Sequence, residues 1–537
     1  MKNWRIYLVL SFCILFGAGI LAKLFFLQAL NGSYYKALAQ GQIFYNLEES
    51  IRDQRGEIFF ADGEPLAINV EWPLVSLCPR EIKEKEATAK ALAQALQLDE
   101  GVILEKSKSN DLYAIVKKRI SEEEVAKIKD LKLKGVYLKK EAGRYYPQET
   151  LASQLVGFLN AEKVGQYGLE GAYNETLKEE GERNDLALTI DYSIQFTAEK
   201  LLEDAQKDLK IEGGEIIVMD PASGKVLALA NFPNFNPNQY SKVTDLEIFQ
   251  NVSTQKIYEP GSIFKPITMA AAIDKGVLTP STTYEDPGRI DIGGWPIYNY
   301  EQRVYPGKLT MTTVLEKSIN TGAVFAEQKL GHNNFLNYAE DFGIFSPSGI
   351  DLKEVYSDNK ELKKGYEVNY ATAAFGQGIE MTPIQVIKAY TAFTNGGKIV
   401  EPYVVEKIVR SDGEIEYPER KEALSVISAS AASQITAMMV SVTENGYGKA
   451  ASVPNYYIAG KTGTAQVSYS SLGINKKGYS DKTWQSFVGF GPAFDPKFLI
   501  LIKLDNPQSK TAEFSAVPMF KKLAKYIIDY YQIPPDH

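Results

Sequence analysis

The sequence predicts an α+β fold, and three observations carry the prediction. "GGEIIVMDPASGKVLALANFP" holds two apolar strands joined across Pro221 to Gly224, strand-like runs recur at 456–468, 484–492 and 497–505, and the stretch between is mostly helical. Two strands early and three late must meet to bury their apolar faces, so a five-stranded antiparallel sheet assembled from both ends of one domain is expected. At 537 residues the chain is too long for one compact core. Further domains must precede this one.

In chain order, "IYLVLSFCILFGAGILAKLFFLQAL" at residues 6–30 is apolar apart from Lys23 and a few small or amide residues. It is long enough to cross the ~30 Å hydrocarbon layer of a bilayer. It is also longer than the apolar part of a cleavable leader, and no small-x-small site closes it, so a single uncleaved anchor is expected. Lys2 and Arg5 precede it, which makes residues 1–5 a cytoplasmic tail and sends everything from residue 31 outside. Cys13 lies in the span and Cys78 is the only other cysteine, so an intrachain disulfide framework is impossible; Cys78 is expected to be a buried small apolar residue.

Residues 31–185 alternate short strand-like runs with charged helices and form a pedestal or interaction domain. "SEEEVAKIKDL" opens with Ser121 and has Glu124 three residues on, a capping box before a helix with Val125, Ile128 and Leu131 on one face. The second domain, 186–537, contains the chemical signals. It starts near "NDLALTIDYSIQFTAEKLLEDA", where a strand leads into a long helix, and closes with an amphipathic helix at 514–531.

Composition excludes several classes. A net charge of -8 and no basic cluster argue against a nucleic-acid partner. There is no Walker loop and no zinc spacing, and two Cys and two His are too few for a soft-metal site, so no cofactor and no metal are expected.

In "EPGSIFKPIT", Ser262 follows a Pro-Gly break and Lys265 lies three residues on, where a helix begins. A serine needs a base, usually histidine, but His332 and His537 lie far from any serine in a sharp turn. Lys265 is the candidate base, since positions i and i+3 share a helix face. Ser33, Ser253 and Ser357 have the same spacing, so the pattern alone is weak; the Pro-Gly break and the apolar helix single out Ser262. Lys265 can act only if apolar surroundings (Ile263, Phe264, Ile267, Met269) or a second cation depress its pKa.

"IAGKTGTAQV" offers that cation, Lys461, on a strand where Gly463 permits close approach and the Thr462 and Thr464 hydroxyls share a face to receive a carboxylate. The plain alternative is an edge strand with a solvated lysine. "EKSINTGAV" sets Ser318 and Asn320 two apart, where a hydroxyl can relay a proton and an amide can hold an acyl group; the alternative is N-capping of the next helix.

Ser-x-x-Lys, Ser-x-Asn and Lys-Thr-Gly in this order resemble the three active-site motifs of penicillin-binding proteins and serine β-lactamases. "RDQRGEIFFADGEPLA", "GRYYPQETLASQLVGF" and "GQYGLEGAYNETLKEEG" are similar to pedestal blocks of class B, monofunctional penicillin-binding proteins, and the likeness covers nearly the whole chain. It implies a transpeptidase domain whose five-stranded sheet is flanked by helices. It also implies a D,D-transpeptidase in which Ser262 attacks the D-Ala-D-Ala bond of a peptidoglycan stem peptide. In that reading Lys265 takes the Ser262 proton and Ser318, with Lys461, relays one to the departing D-alanine. Asn320 orients the donor, Thr462, Gly463 and Thr464 receive the terminal carboxylate, and β-lactams acylate Ser262 as substrate mimics.

Asn320, the stretch from Phe375 to Gln385 and the segment from Ser486 are more similar to the cell-division branch than to the elongation branch. A SEDS-type glycosyltransferase and other divisome or elongasome membrane proteins are the partners implied. An elongation-type transpeptidase, a β-lactam sensor or hydrolase, and a catalytically weak scaffold recruiting a polymerase are the alternative readings. The loop 467–484, rich in Ser, Gly and Lys, is expected to gate the cleft.

Overall fold

The structure, a computed structural model, describes residues 16–17, 55–178 and 183–537. Apart from Phe16 and Gly17, the expected tail at 1–5 and anchor at 6–30 lie outside the described residues. Among the described residues no helix is long and apolar enough to cross a membrane. These residues fall into two compact units, one of 69–145 and one of 55–68 with 146–537.

In the smaller unit, the strand Pro65–Leu77, which begins in the other unit, pairs along its later residues with Ala114–Lys117 and Val136–Tyr145. Helices Lys85–Leu96, Glu100–Lys108 and Glu122–Leu131 bury Leu92, Leu96, Ile103 and Ile128 against Val75 and Leu77. Ser121 and Glu124 form the reciprocal capping box expected from their spacing. Only Ile128 of the expected apolar trio is fully buried; Leu131, at the helix end, is exposed. Cys78 is free and half-buried rather than a core residue.

The larger unit is organised by a five-stranded sheet of β1 (Gly213–Met219), β2 (Val226–Phe232), β3 (Ala459–Ser468), β4 (Tyr479–Gly491) and β5 (Phe498–Asp505). Its order is β3-β4-β5-β1-β2, and every neighbouring pair is antiparallel. The two early strands and three late ones meet at the β5–β1 pair. All seven residues of β1 are buried, because helices cover both faces.

Side chains alternate between those faces. Ile216 and Val218 share a cluster with Leu202 of α1 (Tyr192–Leu209) and with terminal-helix residues Phe520, Leu523 and Ile527. Ile217 and Met219 join the cluster holding Ile267 of α2 (Lys265–Asp274). Met438 and Met439 of the later helix Ala429–Asn445 belong to the same cluster.

Two features outside that sheet were not read from the sequence. The strand before α1, Asn184–Leu188, to which no pairing partner was assigned, pairs with Ile58–Phe59 and Val405–Arg410. The middle region also carries a hairpin, Arg289–Ile292 with Trp295–Tyr298, turning at Gly293 and Gly294, whose φ values of +58° and +82° are those a two-residue Gly-Gly turn uses.

Candidate active site

The site forms where β3, an edge of the sheet, meets the turn that begins "GSIFK". Gly261 has φ +60°, and a Cβ there would lie 2.7 Å from Ala465 Cβ. Its N–H donates to the Gly376 carbonyl at 2.9 Å, and Gly376, at φ +82°, has its own α-hydrogen side against Gly261. Only glycines let these backbones nest so closely. A short 3₁₀ turn, Gly261–Phe264, then runs directly into α2, which Lys265 opens with Pro266 in its first turn. Ser262 and Lys265 thus sit one turn apart, with Nζ 3.0 Å from Oγ.

The Lys265 amine is enclosed. Ile263, Phe264, Ile267 and Met269 are all buried and Lys265 is 0 % exposed. Nζ lies 2.6 Å from the Ser318 carbonyl, 2.8 Å from Asn320 Oδ1 and 3.1 Å from Ser318 Oγ. The Asn320 amide is oriented by its NH₂ donating to the Tyr298 carbonyl at 2.9 Å. A neutral amine has two N–H donors and one lone pair. The carbonyl and Oδ1 can only accept, so they use both donors and leave the lone pair to the two serine hydroxyls. Burial, and after it the charge of Lys461, pulls the Lys265 amine well below the ordinary lysine range.

Ser318 is carried between α3 (Met311–Glu316) and α4 (Asn320–Leu330). It has φ +55°, the left-handed residue of a Schellman ending: Ser318 N–H bonds to the Leu315 carbonyl and Ile319 N–H to the Val314 carbonyl. Glycine usually fills that position; a serine there accepts a conformational cost of about 1 kcal/mol or more. The expected alternative of N-capping is not how these side chains are used. The first N–H groups of α4 donate instead to Asn299 Oδ1, from Asn320 at 3.0 Å and Thr321 at 3.1 Å.

Lys461 is fully buried, unlike a solvated edge-strand lysine. Its Nζ is 2.9 Å from Ser318 Oγ and 3.0 Å from the Thr462 carbonyl, and burial lowers its pKa to about 7. Ser318 Oγ is therefore shared by both lysines. A Cβ on Gly463 would come 2.4 Å from Ser486 Oγ and 3.0 Å from Ile263 Cγ2, so β3 packs directly on the nucleophile turn. Gly463→Ala is expected to displace that turn and slow covalent labelling of Ser262 by penicillin roughly 10²-fold, checked by stopped-time labelling of matched samples.

These groups open onto a cleft of about 1050 Å³ whose lining includes Ser262, Ser318, Asn320, Thr462 and Thr464. All eight residues singled out from the sequence converge at one place. The sequence reading missed three supporting residues. Asn299, which caps α4, donates to Asp286, and Asp286 also accepts from the Thr321 hydroxyl and the N–H groups of Gly288 and Tyr305. Glu259, just before the nucleophile turn, accepts from Gly378 N–H at 3.0 Å and Tyr479 hydroxyl at 3.3 Å, and burial pushes its carboxyl up to about 7. No spacing rule marks Asn299 or Asp286, whereas "EPGS" displayed Glu259 beside the serine. The Tyr479 contact also pins the mouth of the β3–β4 connection, which is shorter than expected, 469–478, because both strands extend past Gln466 and Thr483.

Comparison with known proteins agrees with this geometry. The family model described as the penicillin binding protein transpeptidase domain matches residues 214–525, and that of the penicillin-binding protein dimerisation domain matches 50–190. The chain is 30% identical to stage V sporulation protein D of Bacillus subtilis over 94% of this chain and 82% of that protein. It is 27% identical to the peptidoglycan D,D-transpeptidase FtsI of Escherichia coli K12 over 99% of this chain and 93% of that one. The crystal structure of penicillin binding protein 3 from Mycobacterium tuberculosis complexed with ampicillin superposes with a TM-score of 0.71 at 25% identity, covering 90% of this chain and 96% of that one. The chain belongs to the class B penicillin-binding proteins of the septal type, built from a dimerisation and a transpeptidase domain.

Proposed function

We propose that the protein is a serine D,D-transpeptidase that cross-links peptidoglycan stem peptides during septal wall synthesis and is acylated by β-lactams. The observation that carries the reading is the buried Lys265 amine, 3.0 Å from Ser262 Oγ, with its donors taken by groups that only accept. Ser262 Oγ attacks the carbonyl between two terminal D-alanines while its proton passes to Lys265. The C–N bond then breaks, and Ser318, beside Lys461, hands a proton to the departing amine. The backbone N–H groups of Ser262 and Thr464 hold the oxyanion, Asn320 orients the donor, and the Thr462 and Thr464 hydroxyls take the terminal carboxylate. An amine of a second stem peptide attacks the ester, forming the new amide and returning a proton to Ser262.

Residues 31–185 serve as the pedestal and 186–537 as the catalytic domain, with 6–30 as a single membrane anchor that leaves both outside the membrane. A SEDS-type glycan polymerase is the partner beside which a monofunctional transpeptidase of this kind works. The test is labelling of the full chain in detergent with fluorescent penicillin. A long-lived covalent band lost in Ser262→Ala is expected; a rapidly vanishing adduct would indicate a hydrolase, and no adduct on folded protein a scaffold.

A further inference from the structure

The cleft is not electrically uniform. Its charged lining consists of Arg303, Lys317 and Lys510 against Glu301 and Glu513, an excess of positive charge in a chain whose net charge is -8. The three cations gather in one half. Lys317 directly precedes Ser318, and Lys510 lies two residues before Ala512, whose N–H donates to Thr464 Oγ1 at 3.2 Å. Arg303 donates to the Tyr447 hydroxyl at 2.7 Å, and both Arg303 and Lys317 stand 5.9 Å from the centre of the Tyr447 ring. Lys317 makes no ion pair among the described residues.

Glu301 fills the space between the other two. Its carboxylate pairs with Arg303 and, at 2.9 Å, with Lys510, reaching across from the 299–303 segment to the loop that follows β5. Glu301 and Gln302 both have left-handed backbones, φ +52° and +54°, with no glycine to ease the turn. The carboxylate is thus presented to these cations by a strained strap, as a ligand would be.

We propose that Arg303, Lys317 and Lys510 form an acceptor subsite for a carboxylate of the second stem peptide, with Glu301 occupying it until that peptide arrives. The proposal rests on the transpeptidase reading above. The acceptor amine attacks from the position the departing D-alanine amine has vacated, since aminolysis retraces acylation. That position lies between Ser318 and Thr464, so the rest of the acceptor leads out through the cationic half. A stem peptide carries free carboxylates close to its amine. Three cations draw such a group in and orient it, while a neutral competitor gains nothing from them. Glu301 lowers the cost of keeping like charges together when the subsite is empty.

The test uses the full chain in detergent, acylated from a D-alanyl thioester donor, with aminolysis followed against acceptor concentration. The acceptors are a stem tripeptide with free carboxyls and the same tripeptide amidated, each with lysine or diaminopimelate in third position. Every preparation is first titrated with fluorescent penicillin, so that rates are compared per competent site. The acidic acceptor is expected to half-saturate at roughly tenfold lower concentration than the amide, an advantage that added salt erodes. Arg303→Met with Lys317→Met should bring the ratio near one, and Glu301→Gln should lower half-saturation by the acidic acceptor alone. Equal half-saturation in the wild type, a preference surviving the double substitution, or an acyl-enzyme that neither peptide aminolyses would overturn the proposal. Failure of the transpeptidase reading looks different: the penicillin titration itself finds no Ser262 adduct, or one that vanishes rapidly.

Discussion

Lys265→Met is expected to slow penicillin acylation of Ser262 by roughly 10³-fold while leaving a folded protein, the effect of removing a positioned general base. No other described group can replace it: the second lysine, Lys461, reaches Ser318 Oγ rather than Ser262 Oγ. Methionine matches the lysine stem in the apolar sleeve. It deprives the Ser318 carbonyl and Asn320 Oδ1 of a donor, but it also removes an amine whose pKa burial has depressed. A lysine with a depressed native pKa binds its proton more tightly when unfolded. It therefore opposes folding at every pH below the unfolded value, most strongly below the native one, and the penalty fades as pH rises toward the unfolded value. The two changes oppose each other, so the melting temperature of Lys265→Met should not fall at neutral pH.

The wild-type pH profile follows from the same pair. Below the depressed pKa of Lys265 the amine is charged and has no lone pair for the Ser262 proton, so acylation rises as pH passes through that value. Lys461, at about 7, supplies both a proton beside Ser318 and the charge that helps depress Lys265. Its deprotonation should turn the profile down above neutrality, giving a bell whose two limbs belong to the coupled pair. The profile of the second-order acylation constant checks this, and a flat alkaline side would assign Lys461 no part in acylation.

Arg55→Met is expected to destabilise the larger unit by about 3–5 kcal/mol, the usual result of breaking a buried ion pair by removing one member. Arg55 and Glu170 side chains are 2 % and 0 % exposed, with Nη2 2.6 Å from Glu170 Oε2. Arg55 also donates from Nε to that carboxylate at 2.8 Å and from Nη2 to the Glu170 carbonyl at 3.1 Å, while the Tyr146 hydroxyl approaches Oε1 at 3.3 Å. The three pedestal-like blocks of the sequence supply these residues, one each. Their likeness to a family is therefore a buried polar junction. Replacing both charges, Arg55→Met with Glu170→Met, should recover a large part of the loss, because no uncompensated charge then remains. Denaturant midpoints for the single and double variants measure it; a double variant as weak as the single would show that packing, not charge, is at stake.

Much of the fold was legible because sheet strands announce themselves locally. "IIVM" and "FLILI" are continuous apolar runs, which a strand covered on both faces requires. The Arg289–Tyr298 hairpin was missed although its Gly293-Gly294 turn sits between alternating residues, a signal masked by the helical character of its surroundings. The pairing partner of Asn184–Leu188 was not legible at all, since that strand's partners lie more than a hundred residues away on either side.

The same division runs through the active site. Ser262 and Lys265 are three residues apart on one turn, so their contact is a property of local backbone geometry and could be derived from the sequence alone. The order of the three motifs, the strand carrying Lys461 and the need for glycine at 463 were likewise open to that reading. Only the tertiary structure decided what makes the lysines reactive. Lys265 touches Ser318 across 53 residues and Lys461 touches it across 143, and both amines lose water only because the whole domain closes around them. Desolvation sums over atoms contributed by distant segments, so a lysine's charge state is set by the folded surroundings and not by its neighbours in sequence.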